Sequence, residues 1–361
     1  MLRQVFGARR SSGGETFLML DGLRGLAVLL VVVGHMYRGG LAIFPSLGMV
    51  VAGASGVQLF FVLSSFLLST PLLSASVDVL YSPRGWGTYF LRRFLRIYPL
   101  YTLVLVVGSS FPYLSLPLFG PREISVVDHL LLQQGAKIMW AIPVEMKFYF
   151  VLPLLVFAAS AVWRAGAAAT VGLVVVLLTA SAAGVPAVHA MVPPTIDLAP
   201  NLPYFLAGFA AAVTRRLWRP STLTARILLD AAGWLALAWW AIANVLNLAP
   251  GWAAGLQAPV WRGLVWALVV LAAVDARLGL SAVFRVLPLR LVGVVSFSVY
   301  LLHMPIVEAV RKIGGWTDAT KVVATLVAVL SVSAVSFLVI EYPFVEFGRR
   351  LSRRDAARVK A

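Results

Sequence analysis

Polarity changes along the chain in long blocks. Apolar runs fall at approximately 22–40, 48–70, 94–111, 143–161, 167–184, 200–214, 226–247, 261–276, 289–310 and 320–341. A helix needs about 20 apolar residues to cross a bilayer. The pattern therefore predicts an all-α polytopic protein, a bundle of about ten transmembrane helices. Gly and Pro punctuate several runs, which membrane helices tolerate where neighbours resatisfy the backbone. No internal repeat is visible, so nothing points to the repeated halves of many transporters. The runs leave a short N-terminal segment at 1–19, a membrane unit at 20–348 and a basic tail at 349–361.

Composition agrees with this pattern. Of the residues 61% are hydrophobic and 12% charged, with a mean hydropathy of +0.92, whereas soluble domains carry about 25% charged residues. A net charge of +16 would suggest nucleic acid in a soluble chain. In a membrane chain it reflects the excess of Lys and Arg in cytoplasmic loops, and nucleic acid is not an expected partner.

Ten spans put both termini on one side. With the N-terminus inside, 22 of the 30 basic residues fall inside and 8 outside, which predicts cytoplasmic termini and a multi-pass protein of the cytoplasmic membrane. Trp140, Trp163, Trp218, Trp252, Trp261 and Trp316 fall near span ends, as an aromatic belt would. The longest outer connection, about 112–142, is expected to cap the bundle and shape an external entrance. No A-x-A-like cleavage site follows the first apolar run, so that run is an uncleaved span.

The absence of cysteine excludes disulfides, thiolate nucleophiles and thiolate metal sites, and no metal site is predicted. No GxxxxGKS/T or GxGxxG pattern supports ATP-driven or Rossmann-type chemistry.

Ionisable groups inside spans are costly and are functional candidates by default. In "LDGLRGLAVLLVVVGHM" (20–36), Arg24 and His35 are eleven residues apart. That is three helical turns, so both lie on one stripe, about 16 Å apart along the axis at about 1.5 Å per residue. Arg92, Arg93 and Arg96 of "LRRFLRIYP" lie at the inner end of the third run. Glu145 of "WAIPVEMKFYF" and His303 of "SVYLLHMP" fall toward the outer halves of theirs.

Each has a plain structural reading. The arginines could anchor the helix, the histidines could be packing contacts, and Glu145 could pair with Lys147. Asp21 reads as a helix cap or partner of Arg24, and His129 and His189 as surface residues of outer loops.

Together these residues suggest an anionic handle held inside and a reacting centre part-way across. Guanidinium groups pair with phosphate oxygens, and an imidazole can take a proton from a hydroxyl as it attacks a thioester. An acyl thioester of coenzyme A fits, with phosphates on the arginines and the acyl group carried along the stripe to His35. A proton-coupled transporter would also use buried His, Glu and Arg.

At these residues the chain resembles the acyltransferase 3 family of integral membrane O-acyltransferases, from Leu20 to about Arg350. "LDGLRGLAVLLVVVGH" is similar to its first-span motif, "GVQLFFVLSSFLLS" (56–69) to its second-span motif and "RRFLRIYPLY" to its Arg-x-x-Arg element. "WAIPVEMKFYFVLPLL" is similar to its Trp-Ser-Leu-x-Val-Glu segment, and "VSFSVYLLHMPI" and "EYPFVEFGRR" to its last two spans.

The resemblance implies transfer of an acyl group, acetyl first among candidates, from a cytoplasmic donor to a hydroxyl of a sugar, glycolipid or other exported acceptor. It implies that His35 is catalytic, that Arg24, Arg93 and Arg96 are needed for activity, and that Glu145 is the Glu of the Trp-to-Glu segment. Read with it, the catalytic candidates are His35, Glu145 and His303, and the donor-binding candidates Arg24, Arg92, Arg93 and Arg96. No tightly bound cofactor is expected; acyl-CoA is a co-substrate. The lipid bilayer and a carbohydrate or glycolipid acceptor are the other partners, and a homodimer is compatible with such a bundle.

Two departures stand out. Ser65 replaces a usual Gly, which puts a close helix approach in doubt. Ala141 replaces a usual Ser or Thr, which removes a hydroxyl beside Trp140. Some relatives carry a C-terminal hydrolase-like domain; this chain, with only a basic tail, is expected to act alone or with a separate partner. The competing expectations are a transporter or flippase for a lipid-linked or small solute, and a non-catalytic membrane scaffold.

Overall fold

The structure is a computed structural model that describes residues 18–75, 80, 82–110, 125–183, 196–251, 255 and 258–358. Each of the ten apolar runs falls on helix among the described residues, the run at 289–310 across two helices, Leu287–Val294 and Ser296–Arg311. In order the helices are α1 (Leu18–Arg38), α2 (Met49–Leu73), α3 (Pro83–Ser110), the short α4 (Val126–Leu130), α5 (Ala141–Trp163), α6 (Ala167–Ala183) and α7 (Leu202–Leu217). Then come α8 (Leu223–Asn244), α9 (Pro259–Leu271), α10 (Gly279–Phe284), α11 (Leu287–Val294), α12 (Ser296–Arg311), α13 (Asp318–Ser336) and α14 (Tyr342–Arg358). Two π-helical turns continue helices, Ala272–Ala276 after α9 and Phe337–Glu341 between α13 and α14.

By length and apolarity six helices can cross a membrane, and the pair α11–α12, bent by 79°, makes a seventh if it is one span. The remaining runs fall on α6 and α7, with 17 and 16 residues, and on α3, which carries Arg92, Arg93 and Arg96.

Helix α1 is buried on most of its faces, as a central helix is. Leu23, Ala27, Val28 and Val31 are wholly buried, and α1 packs on α2, α10, α11 and α12. Small residues let membrane helices approach closely. At the α1–α2 crossing a Cβ on Gly34 would stand 2.6 Å from the Gly53 Cα, so neither glycine has room for a side chain. By contrast Val323, Val327, Val335 and Val339 lie exposed along α13 and its π turn, spaced as a lipid-facing stripe.

The close approach put in doubt at Ser65 is present. Helix α7 supplies the glycine instead: a Cβ on Gly208 would lie 2.2 Å from the Val62 carbonyl oxygen and 2.9 Å from the Ser65 Cβ.

The 112–142 connection is described from residue 125 onward, and there it enters the bundle. Ile138 and Met139, in a 3-10 turn at Lys137–Trp140, are buried. Trp140 meets the Phe61 ring edge-on at 5.9 Å, and the Phe61, Phe205 and Phe148 rings stack at 4.5 and 4.1 Å. This aromatic column fixes the start of α5 against α2 and α7.

His129, expected on the surface, is fully buried. Its Nδ1 donates to the Ser125 carbonyl at 3.0 Å, and its Nε2 accepts from the Ala136 N–H at 3.1 Å. Both ring nitrogens hold the loop, a demand on a buried polar side chain that spacing does not disclose. His189 and Trp252 lie outside the described residues.

Candidate active site

At one end of the bundle α1, α2, α3, α5, α7 and the α13–α14 segment enclose a cavity of about 820 Å³. Its wall carries Arg24 from α1; Arg92, Arg93 and Arg96 from α3; Arg215 and Arg219 beside α7; and Arg349 from α14. The acids on that wall are Asp21, Glu145 and Glu341. Seven guanidinium groups line it against three carboxylates, an excess of positive charge that Asp275 on Arg215 and Glu346 on Arg349 partly offset.

Buried charges need partners, and several of these have them. Arg215 and Asp275 form a buried ion pair at 3.0 Å, with Asp275 presented by the first π turn. The Arg93 guanidinium stands 5.9 Å from the centre of the Tyr149 ring, a cation–π distance. The Arg93 Nε is buried with no hydrogen-bond partner among the described residues, and leaving a buried donor unpaired is costly.

A smaller chamber of about 60 Å³ adjoins this cavity, and Arg24, Arg96, Phe60, Ser64 and Glu145 line both. Ser296 and Tyr300 of α12 complete its wall. Glu145 Oε1 accepts hydrogen bonds from the Ser64 hydroxyl and the Tyr149 hydroxyl, each at 2.5 Å. Lys147, the sequence partner suggested for it, instead donates to the Ile196 carbonyl at 2.8 Å. The Tyr300 hydroxyl donates to the Ile138 carbonyl.

Glu145 therefore stands with the arginines and not beside the two histidines. The reason is local. Ile138 and Met139 just before α5 are buried, so α5 starts within the bundle, and a residue one turn into it lies deeper than the count from a surface loop suggests.

One turn beyond Tyr300 the histidines meet. The His303 Nε2 lies 3.2 Å from the His35 Nδ1, and the ring centres are 5.0 Å apart. Backbone carbonyls assign the tautomers. The His303 Nδ1–H donates to Tyr300 O at 2.8 Å and Val299 O at 3.1 Å, which leaves its Nε2 as an acceptor. His35 Nδ1 is 2.9 Å from Val31 O, so that nitrogen carries the hydrogen shared with His303. The His35 Nε2 keeps its lone pair. His303 is fully buried and His35 half-buried. Neither histidine lines the two chambers.

The structure thus brings Arg24, Arg92, Arg93, Arg96 and Glu145 to one cavity and pairs His35 with His303 beyond it. Sequence reasoning passed over Arg215, Arg219, Arg349, Tyr149, Ser64 and Tyr300. One signal was available: "TRRLWR" (214–219) repeats the arginine spacing of "LRRFLR" (91–96) at a helix end.

The family described as acyltransferase domain matches residues 17–341. The chain is 25% identical over 377 residues to the peptidoglycan O-acetyltransferase OatA of Listeria monocytogenes, an alignment that covers 91% of this chain and 56% of that protein. The chain thus spans little more than half the length of that curated relative. No solved structure matches it.

Proposed function

We propose, on the premise that this chain belongs to the acyltransferase domain family, that it is a membrane O-acyltransferase that takes an acetyl group from acetyl-CoA. The acceptor is a hydroxyl of a cell-envelope carbohydrate. The relative's name supplies acetyl and peptidoglycan as the first donor group and acceptor class to test. One observation carries the reading: an arginine-walled cavity and a histidine pair succeed each other along α1, three turns apart.

The donor's phosphates sit among Arg24, Arg93 and Arg96, where the unpartnered Arg93 Nε gains an acceptor. Its pantetheine arm runs past Glu145 and Tyr300 toward His35. The acceptor hydroxyl oxygen attacks the thioester carbonyl while the His35 Nε2 takes the hydroxyl proton. The C–S bond then breaks, the thiolate leaves and takes up a proton, and an ester and free CoA thiol result. His303 holds the His35 ring in the tautomer that leaves Nε2 basic. On this reading the arginine end faces the cytoplasm, both termini are cytoplasmic, and the acceptor reaches His35 from the outer side of the cytoplasmic membrane.

The test is thiol release. The purified full chain, given acetyl-CoA and a peptidoglycan fragment or envelope oligosaccharide, should liberate CoA thiol in proportion to ester formed. Uptake of a solute into vesicles without any thiol release would replace this reading with the transporter.

A further inference from the structure

The last helix brings a basic residue of its own to the donor cavity. Gly348 of α14 lies against α3: a Cβ there would stand 3.3 Å from the Leu95 Cδ1 and 3.6 Å from the Arg92 Cγ. The next residue, Arg349, lines the cavity, as Arg92 does. Arg349 is partly balanced by Glu346 at 3.6 Å. Like charges gathered on one wall repel, and an anion between them removes the repulsion. Arg92 also stands one helical turn, about 6 Å along the α3 axis, before Arg96, and of the two only Arg96 lines the small chamber as well. The wall therefore offers two levels of guanidinium groups, one beside the chamber and one farther out.

We propose that Arg349 and Arg92 form a separate subsite for the donor's terminal phosphate, the 3′-phosphate of coenzyme A, while Arg24, Arg93 and Arg96 serve the diphosphate nearer the acyl arm. The inference rests on the acyl-CoA reading above. The pairing joins two helices far apart in sequence, and it makes α14 part of donor recognition and not only a membrane anchor.

The experiment compares acetyl-CoA with acetyl-3′-dephospho-CoA as donors for the full chain, following thiol release in the presence of acceptor. Charge-assisted hydrogen bonds are worth about 1.5–3 kcal/mol, so the wild type should show a KM about 10- to 100-fold higher for the dephospho donor. In R349A and R92A the two KM values should converge, because the KM for acetyl-CoA alone rises. R350A is the control: Arg350 is exposed and ion-paired to Glu346 at 3.4 Å, so the wild-type ratio should persist. Where R349A gives no folded protein, R349K is read instead, and its ratio must fall between wild type and unity. A wild-type ratio near one, or an unchanged ratio in R349A, R349K and R92A, overturns the subsite. Absence of thiol release from either donor in the wild type overturns the acyl-CoA reading itself, a distinct result.

Discussion

The His303 Nε2 faces the His35 Nδ1 at 3.2 Å, across 268 positions of sequence. This contact, with the carbonyl of Val31, leaves one ring nitrogen of His35 to accept a proton. It depends on α12, which is bent by 79° from α11 while both helices pack on α1.

If His303 acts through His35, its replacement should lower kcat while the donor KM stays near the parental value. His303→Phe fills the buried site but offers no acceptor, so a loss of about 10- to 100-fold is expected, the scale of one hydrogen bond to a charged group, which the His35 ring becomes as it takes the proton. His303→Gln restores a carbonyl acceptor and should recover part of the rate. Equal loss of rate and of folded protein in both variants would leave His303 a packing residue.

His35 itself should be the more sensitive position. General-base assistance contributes about 10²–10⁴-fold, so His35→Ala and His35→Gln should both lose at least that factor in transfer. Donor binding should survive, since the phosphates are held about three turns away. A correctly inserted His35→Ala protein that acetylates near the parental rate ends the general-base assignment.

Much of this arrangement was legible in the sequence, for identifiable reasons. The ten apolar runs fall on helix among the described residues, one of them split over α11 and α12, because long hydrophobic blocks bounded by charge leave the backbone few other ways to satisfy itself. The spacing of Arg24 and His35 holds because both lie within one uninterrupted helix, where 3.6 residues per turn fixes their relation. The contacts of His303 and Arg349 depend on how distant helices dock, which local periodicity does not encode. The place of Glu145 among the arginines was not legible because the turn at Lys137–Trp140, with Ile138 and Met139 buried, is short and carries an exposed lysine, and so reads as a loop. His129 misled for the same reason: its two bonds are to backbone atoms that no side-chain pattern marks.

The donor arginines should show themselves in KM. Arg96→Lys keeps a charge but loses the bidentate fork, so the acetyl-CoA KM should rise several-fold with kcat little changed. Arg24→Ala should weaken donor binding more, since Arg24 lines both chambers and is 8% exposed. Unchanged donor affinity in Arg24→Ala, Arg93→Ala and Arg96→Lys proteins returns these residues to anchoring roles.

The absence of cysteine makes orientation directly measurable. Single cysteines at Ser82, before α3, and at Thr317, before α13, leave a chain with one thiol each. An impermeant maleimide applied to intact cells should label Thr317→Cys and spare Ser82→Cys until the membrane is opened. The reverse pattern would turn the arginine cavity away from cytoplasmic acyl-CoA, and with it the proposed direction of transfer.

Glu145 separates two accounts of the carboxylate. Its Oε1 takes hydrogen bonds from Ser64 and Tyr149, and it lines both chambers with Arg24 and Arg96. A carboxylate so engaged orients the neighbouring wall, holding Tyr149 under the Arg93 guanidinium and offsetting part of the arginine charge. A general base would need a proton-accepting atom at the acceptor hydroxyl, the role proposed above for the His35 Nε2. Glu145→Gln keeps a carbonyl oxygen for one of the two hydroxyls, while Glu145→Ala leaves both unpaired, and each lost bond to a charged acceptor costs about 1.5–3 kcal/mol. For a positioning role the Gln variant should retain clearly more activity than the Ala variant, about tenfold or more. Its pH–rate profile should keep the parental shape, because the titrating base is elsewhere. Equal inactivity of the two variants, with wild-type melting and donor binding, would instead make Glu145 the base and His35 its accessory.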